Sequence, residues 1–172
     1  MDIDIATLLA TKHIEQCLYR YGTAVDRRDA PFLKGVFWPE AVIDIEGFYS
    51  GPAAGFADTI LPSMRETMES TAHFITNIRV EISEGTARAE SYLCAFHRLK
   101  GEDGPRDLIL AGRYFDQLTE RHGEWRLMKR RLVYDWFREW NDACPLSAGM
   151  LGMPVAALGQ TSSFLDGSGG QA

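Results

Sequence analysis

Cysteine is scarce in this chain: three among 172 residues, at positions 17, 94 and 144, with spacings that suit neither a disulfide framework nor a metal set. That sparseness predicts a protein kept in the reducing cytoplasm. Cys17 and Cys94 lie in apolar patterns and read as core filler rather than nucleophiles. No run of Lys and Arg is long enough to suggest a nucleic-acid patch, and the net charge is −6, which disfavours nucleic acid and anionic membrane as partners. No apolar stretch approaches the roughly 20 residues that cross a bilayer. Asp2 and Asp4 stand where an export signal needs positive charge, so no signal peptide is expected. The four histidines have no partner at ligand spacing, so no metal is expected. Neither a glycine-rich phosphate loop nor a nucleophile elbow is present, which argues against nucleotide chemistry and a Ser-His-Asp hydrolase. No cofactor is implied.

What is present is an ordinary globular balance, 45% hydrophobic and 24% charged, in a length that suits one domain with a real core. Apolar residues at three- and four-residue intervals, among them Ile14, Cys17, Leu18, Tyr21 and Val25, predict a helix over residues 7–26, capped by Thr7 or Thr11. Asp29-Ala30-Pro31 predicts a break and a short helix through Val36. A strand follows over 40–46, closed by Gly47. Gly51-Pro52 then starts a helix over 53–69, with a kink or fresh start at Pro62. Four long strands are predicted at 73–83, 86–99, 107–119 and 124–137, joined by short glycine-bearing turns. Helices first and an antiparallel meander afterwards indicate an α+β domain over residues 1–140. Residues 141–172, rich in Gly, Met, Pro and Ser, read as a partly docked C-terminal extension with a loose end.

Alternation assigns faces. In the second long strand Ala87, Ala89, Ser91, Leu93, Ala95 and His97 share one side, so small residues leave space into which His97 projects. In the last strand Trp125, Leu127, Lys129, Arg131, Val133, Asp135 and Phe137 fall together.

Two segments carry the chemistry. The first helix ends in Tyr21-Gly22-Thr23-Ala24-Val25-Asp26, and 47 residues beyond Asp26 comes His73, in Thr71-Ala72-His73-Phe74-Ile75-Thr76-Asn77. A carboxylate beside a histidine holds the imidazole in one tautomer and stabilises the imidazolium formed when it takes a proton. Histidine is the side chain suited to that task near neutral pH. The pair can equally be a solvated helix end and a strand-start residue. At about 100° per residue, Asp26 falls about 140° round the helix from Tyr21. The last turn is therefore expected to unwind if both are to face one cavity.

These segments resemble the SnoaL-like branch of the nuclear transport factor 2 fold family, and the resemblance spans residues 7–137. It implies a cone-shaped α+β barrel, with N-terminal helices packed on a curved, mainly antiparallel sheet. It is similar above all to the dehydratase and dehydrochlorinase members, whose first-helix aspartate and sheet histidine form a catalytic dyad. The Tyr21–Asp26 spacing resembles the bile-acid dehydratase branch, whereas a lysine takes the tyrosine's place in the hexachlorocyclohexane dehydrochlorinase branch. His97 falls where scytalone dehydratase-like members carry a second histidine. Arg131 resembles the arginine that some members use to hold a leaving group or anionic intermediate.

By that carry-over Asp26 orients His73, His73 removes a proton from carbon, and Tyr21, His97 or Arg131 assists the departing group. Arg131, near Lys129 and Asp135, equally suits a surface ion pair, and His97 a satisfied core histidine. Tyr49, Trp136 and Phe137 are expected at a substrate site, with core capping or a subunit interface as the alternative. The implied function is a cofactor-independent lyase. It would eliminate water, halide or a small aldehyde such as formaldehyde from a hydrophobic aromatic or polycyclic molecule, in aromatic-compound catabolism. An isomerase or polyketide cyclase, and a non-catalytic ligand-binding protein, are the alternatives. A homo-oligomer, trimer or dimer, is expected.

Overall fold

The computed structural model of the chain describes residues 4–140, so the expected extension over 141–172 lies outside the described residues. Helix α1 (Ile5–Arg27) starts two residues earlier than its periodicity predicts, because the Asp4 carboxylate caps it, accepting the Thr7 N–H at 2.7 Å. Thr7 and Thr11 lie inside the helix instead, Thr11 Oγ1 donating back to the Thr7 carbonyl. Arg28 ends the helix in the left-handed conformation. Asp29 then caps α2 (Ala30–Gly35), accepting the Phe32 N–H at 3.0 Å with Pro31 in the first turn.

Strand β1 (Phe37–Ile45) turns into β2 (Tyr49–Pro52), a short edge strand hidden in the sequence because Gly51-Pro52 reads only as a helix start. Helix α3 (Ala53–Thr67) crosses Pro62 without a break. Proline there removes its own hydrogen bond, but Phe56, Ala57, Leu61 and Met64 are buried on both sides of it and hold the helix to the sheet. The chain then enters β3 (Met68–Ser83), β4 (Thr86–Leu99), β5 (Arg106–Arg121) and β6 (Glu124–Trp140).

These strands form one curved sheet in the order β2-β1-β6-β5-β4-β3, antiparallel throughout except that β1 runs parallel to β6. The sheet is unclosed, with β2 and β3 as its edges, and the helices cover its inner face. Ala87, Ala89, Ser91 and Ala95 make that face shallow, so α1 lies close and buries Ile14, Leu18 and Tyr21 against it. Among the described residues no helix is long and apolar enough to cross a membrane.

One local feature decides which side chains point inward. Against β5, β6 carries two extra residues: Leu127 faces Leu118 and Lys129 faces Gln117, leaving Met128 over, and Tyr134 faces Gly112 while Trp136 faces Ala111, leaving Asp135 over. The simple alternation therefore fails. Trp125 and Leu127 point in, the first extra residue turns Arg130, Leu132 and Tyr134 inward, and the second brings Phe137 back to the side of Leu110. Arg131 is turned out.

Gly112 sits at the second irregularity, where an added Cβ would stand 2.6 Å from the Val133 carbonyl oxygen and 3.0 Å from Leu132. Gly112→Ala is expected to cost about 1–3 kcal/mol. Gly35→Ala, where an added Cβ meets nothing within 4 Å, should stay within about 0.5 kcal/mol. Calorimetric unfolding of the two variants makes the comparison.

Candidate active site

Asp26 projects from the end of α1 onto β3 and is saturated by it. Its Oδ1 accepts from His73 Nδ1 at 2.6 Å and from Thr71 Oγ1 at 2.9 Å, and its Oδ2 accepts the His73 backbone N–H at 2.9 Å. A carboxylate only accepts, so Nδ1 of His73 carries the proton and Nε2 is the nitrogen left with a free lone pair. Gly22 faces this strand, where an added Cβ would come into ordinary contact with the His73 carbonyl oxygen at 3.4 Å. The helix does not unwind, because α1 stays helical to Arg27. Asp26 has no need to face the cavity. From its own side of α1 it reaches the strand, and His73 extends from there to the cavity wall that Tyr21 also lines.

The cavity holds about 250 Å3 between α1, α3 and the inner face of the sheet. Phe48, Phe56, Ile60, Met64, Leu108 and Leu110 supply much of its apolar wall. Polar groups enter from His73, His97, Tyr21, Tyr114 and Tyr134. Larger depressions of about 630 and 400 Å3 lie on the opposite face of the sheet around Glu81, Arg88 and Gln117. They are remote from the hydrogen-bonded pair, which lies at the wall of the smaller interior space.

His97 faces Thr71 across the β3–β4 ladder, and its ring centroid lies 5.3 Å from that of His73. It is 7% exposed, and its Nδ1 is buried with no hydrogen-bond partner among the described residues. Burial, and secondarily the like charge of a protonated His73, push its pKa down to about 4 despite the opposing pull of Asp26. At neutral pH it is an uncharged ring.

Beneath the cavity lies a group that sequence reasoning missed. Arg130 is fully buried and bound in a fork to Asp116, at 2.9 Å through Nε and 2.8 Å through Nη2. Tyr21 and Tyr114 stand edge to face at 5.7 Å above it. Burial raises the pKa of both phenols, and the Arg130 charge opposes that rise.

Of the residues expected at the site, Tyr21, His73 and His97 line the cavity and Asp26 stands behind His73. Arg131 does not: its side chain is 56% exposed and lies 3.6 Å from Asp44, a surface ion pair, because Met128 shifts the alternation. Tyr49 is also outside. Its hydroxyl donates to the Pro52 carbonyl at 2.7 Å and its ring packs on Phe56, so it braces the β2–α3 junction. Trp136 is exposed on the outer face opposite Ala111. Phe137 shares the side of Leu110, yet it is 70% exposed and outside the cavity wall. Thr71 stands inside the quoted segment, but only its packing on α1 reveals it as a partner of Asp26.

A family model described as SnoaL-like domain matches residues 6–131. No curated protein sequence matches the chain. Among solved structures, the chain is similar to a candidate scytalone dehydratase from Novosphingobium aromaticivorans, at 23% identity and a TM-score of 0.70, covering 78% of this chain and 89% of that one. It is similar to the type 2 hexachlorocyclohexane dehydrochlorinase LinA, at 20% identity and a TM-score of 0.74, covering 86% and 99%. The LinA type 3 enzyme of Novosphingobium barchaimii gives 18% and 0.72, covering 84% and 99%. At such identities these likenesses establish the fold.

The depressed pKa of His97 sets a stability window. The unfolded chain takes up a proton near pH 6.5, whereas the folded protein refuses it until about pH 4. Between those values the unfolded state binds more protons, so stability is intact above the window and falls as the pH drops through it. About 2 to 3 kcal/mol should be lost by pH 4.5. His97→Gln should remove that part of the slope, as read by urea unfolding of both proteins at pH 7 and 4.5.

Proposed function

Since the chain belongs to the SnoaL-like domain family, we propose that it is a cofactor-independent lyase, eliminating water, halide or a small aldehyde from an uncharged hydrophobic molecule. The observation that carries this reading is the Asp26–His73 pair, hydrogen-bonded at 2.6 Å and opening through His73 onto an apolar cavity. For loss of water or halide, His73 Nε2 takes a proton from the carbon next to the one bearing the leaving group. The C–H pair forms the double bond, or rests first on carbon stabilised by a neighbouring carbonyl, and the leaving group departs with the pair of its own bond. For loss of an aldehyde, His73 Nε2 takes the proton of the hydroxyl one carbon beyond. That C–O becomes the aldehyde C=O, and the pair of the broken C–C bond stays on carbon as an enolate, which the proton then quenches. Asp26 stabilises the imidazolium at Nδ1, and Tyr21 donates to the departing oxygen or halide. Neutral His97 hydrogen-bonds a polar substituent without adding charge.

The cavity also bears on size. A space of about 150 Å3 accepts one benzene ring, so about 250 Å3 suits one or two rings better than a large polycycle. Among the described residues no cation faces it: Arg130 lies behind two tyrosine rings, and Arg28 donates to the Met68 and Glu69 carbonyls. A carboxylate or phosphate substrate would find no counter-ion there. An isomerase using Asp26 itself as the base is less well supported, because His73 and Thr71 hold both of its oxygens.

We also propose a homo-oligomer working in the cytoplasm. Phe74, Tyr92, Phe115 and Trp136, each between 42% and 55% exposed, stand on the outer face of the sheet, where a second copy would cover them.

The test is a mass-spectrometric screen of wild type and His73→Ala, without added metal or cofactor, against hydroxylated and halogenated one- and two-ring compounds. Loss of water, halide or formaldehyde is expected with wild type. His73→Ala and Asp26→Asn should each lower kcat/KM about 10²- to 10⁴-fold. Full activity in His73→Ala would sink the reading, and ligands bound without turnover would make the protein a binder.

A further inference from the structure

Arg130 and Asp116 form an ion pair with both side chains fully buried, and neither touches the cavity. Burying a charged pair costs several kcal/mol per ion in desolvation, and apolar residues of similar volume commonly do as well or better. The pair is therefore poorly explained as a stabiliser. Its surroundings suggest another use. The guanidinium carbon lies 4.0 Å from the ring centroid of Tyr21 and 4.0 Å from that of Tyr114, so one cation is clasped by two phenols. Both phenols line the cavity. Asp116 occupies Nε and Nη2, whereas Nη1 is buried without a hydrogen-bond partner among the described residues. The positive charge is thus not fully spent on the carboxylate.

We infer that the Arg130–Asp116 pair is a positioning device for the two cavity phenols, and that Tyr114 acts beside Tyr21 as a second hydrogen-bond donor to the substrate. Asp116 fixes the guanidinium, and the guanidinium fixes both rings at one wall of the cavity. Its charge draws electron density from the phenol oxygens and stabilises negative charge building on them. When a hydroxyl leaves, one phenol gives it a proton and becomes a phenolate next to the cation. The proton that His73 took from carbon then returns to that phenolate, so acid and base are both restored and water is the balanced product. Arg130 never meets the substrate; it acts through Tyr21 and Tyr114. The catalytic half of this inference rests on the lyase reading, and the positioning half stands without it.

The experiment pairs Arg130→Met with Asp116→Leu, so that no buried charge is left alone, and adds Arg130→Lys, which keeps the charge. Proteins labelled with 13C at the tyrosine ζ carbon are titrated to alkaline pH by NMR, with Tyr21→Phe and Tyr114→Phe assigning the two signals. Removing the cation should shift both resonances and raise the ionisation of at least one phenol by about one pH unit or more. Arg130→Lys should restore most of that. With whichever substrate the screen yields, the double variant should lose about tenfold or more in kcat with KM little changed. That loss should shrink in a Tyr21→Phe, Tyr114→Phe background, because the groups act as one unit. Phenol signals that do not respond to the double substitution in a folded protein would overturn the inference. Shifted phenols without turnover on any compound would uphold the positioning and sink the lyase reading alone.

Discussion

The carboxylate of Asp26 is the constraint on which the site rests. Three donors from one strand converge on it, the Thr71 hydroxyl, the His73 backbone N–H and the His73 ring, so the end of α1 is tied to β3 at one register. The same contacts choose the His73 tautomer, keeping a proton on Nδ1. One residue thus performs a structural and an electronic task, and the two cannot be separated.

Around this anchor the molecule separates charge from the space it offers a ligand. Asp26 stands behind His73, Arg130 lies behind Tyr21 and Tyr114, and His97 is held neutral by burial. The wall therefore presents ring nitrogens and phenols rather than ions. In a poorly solvated cavity that choice matters: neutral donors can stabilise charge that develops during a reaction without binding charged molecules in its absence. The ions act one step away, fixing tautomer and ring position.

Much of this arrangement is legible in the sequence. The Ala/Ser row of β4 is read from strand alternation, which depends on nearest neighbours. The Tyr21–Asp26 and His73 segments are instead recognised by their resemblance to the family; helical projection alone set Asp26 away from Tyr21. Other features are hidden for definite reasons. Strand β2 is short and ends in a Gly-Pro step that reads as a helix start. The continuity of α3 across Pro62 depends on what its apolar face packs against. Arg130 and Arg131 are adjacent and chemically identical, so no local signal separates them. Tyr49 is an aromatic in a promising place whose hydroxyl is spent on Pro52.

The sequence by itself determined the α+β order, through helical and strand periodicity, and the family, through the resemblance of the Tyr21–Asp26 and His73 segments. Only the tertiary structure decided which arginine lies under the cavity. Met128, the residue left over between Leu127 and Lys129, reverses the facing of β6, turning Arg130 toward Asp116 and the tyrosines and Arg131 toward solvent and Asp44. A strand of period two keeps no record of a skipped partner; the register exists only once β5 and β6 are paired.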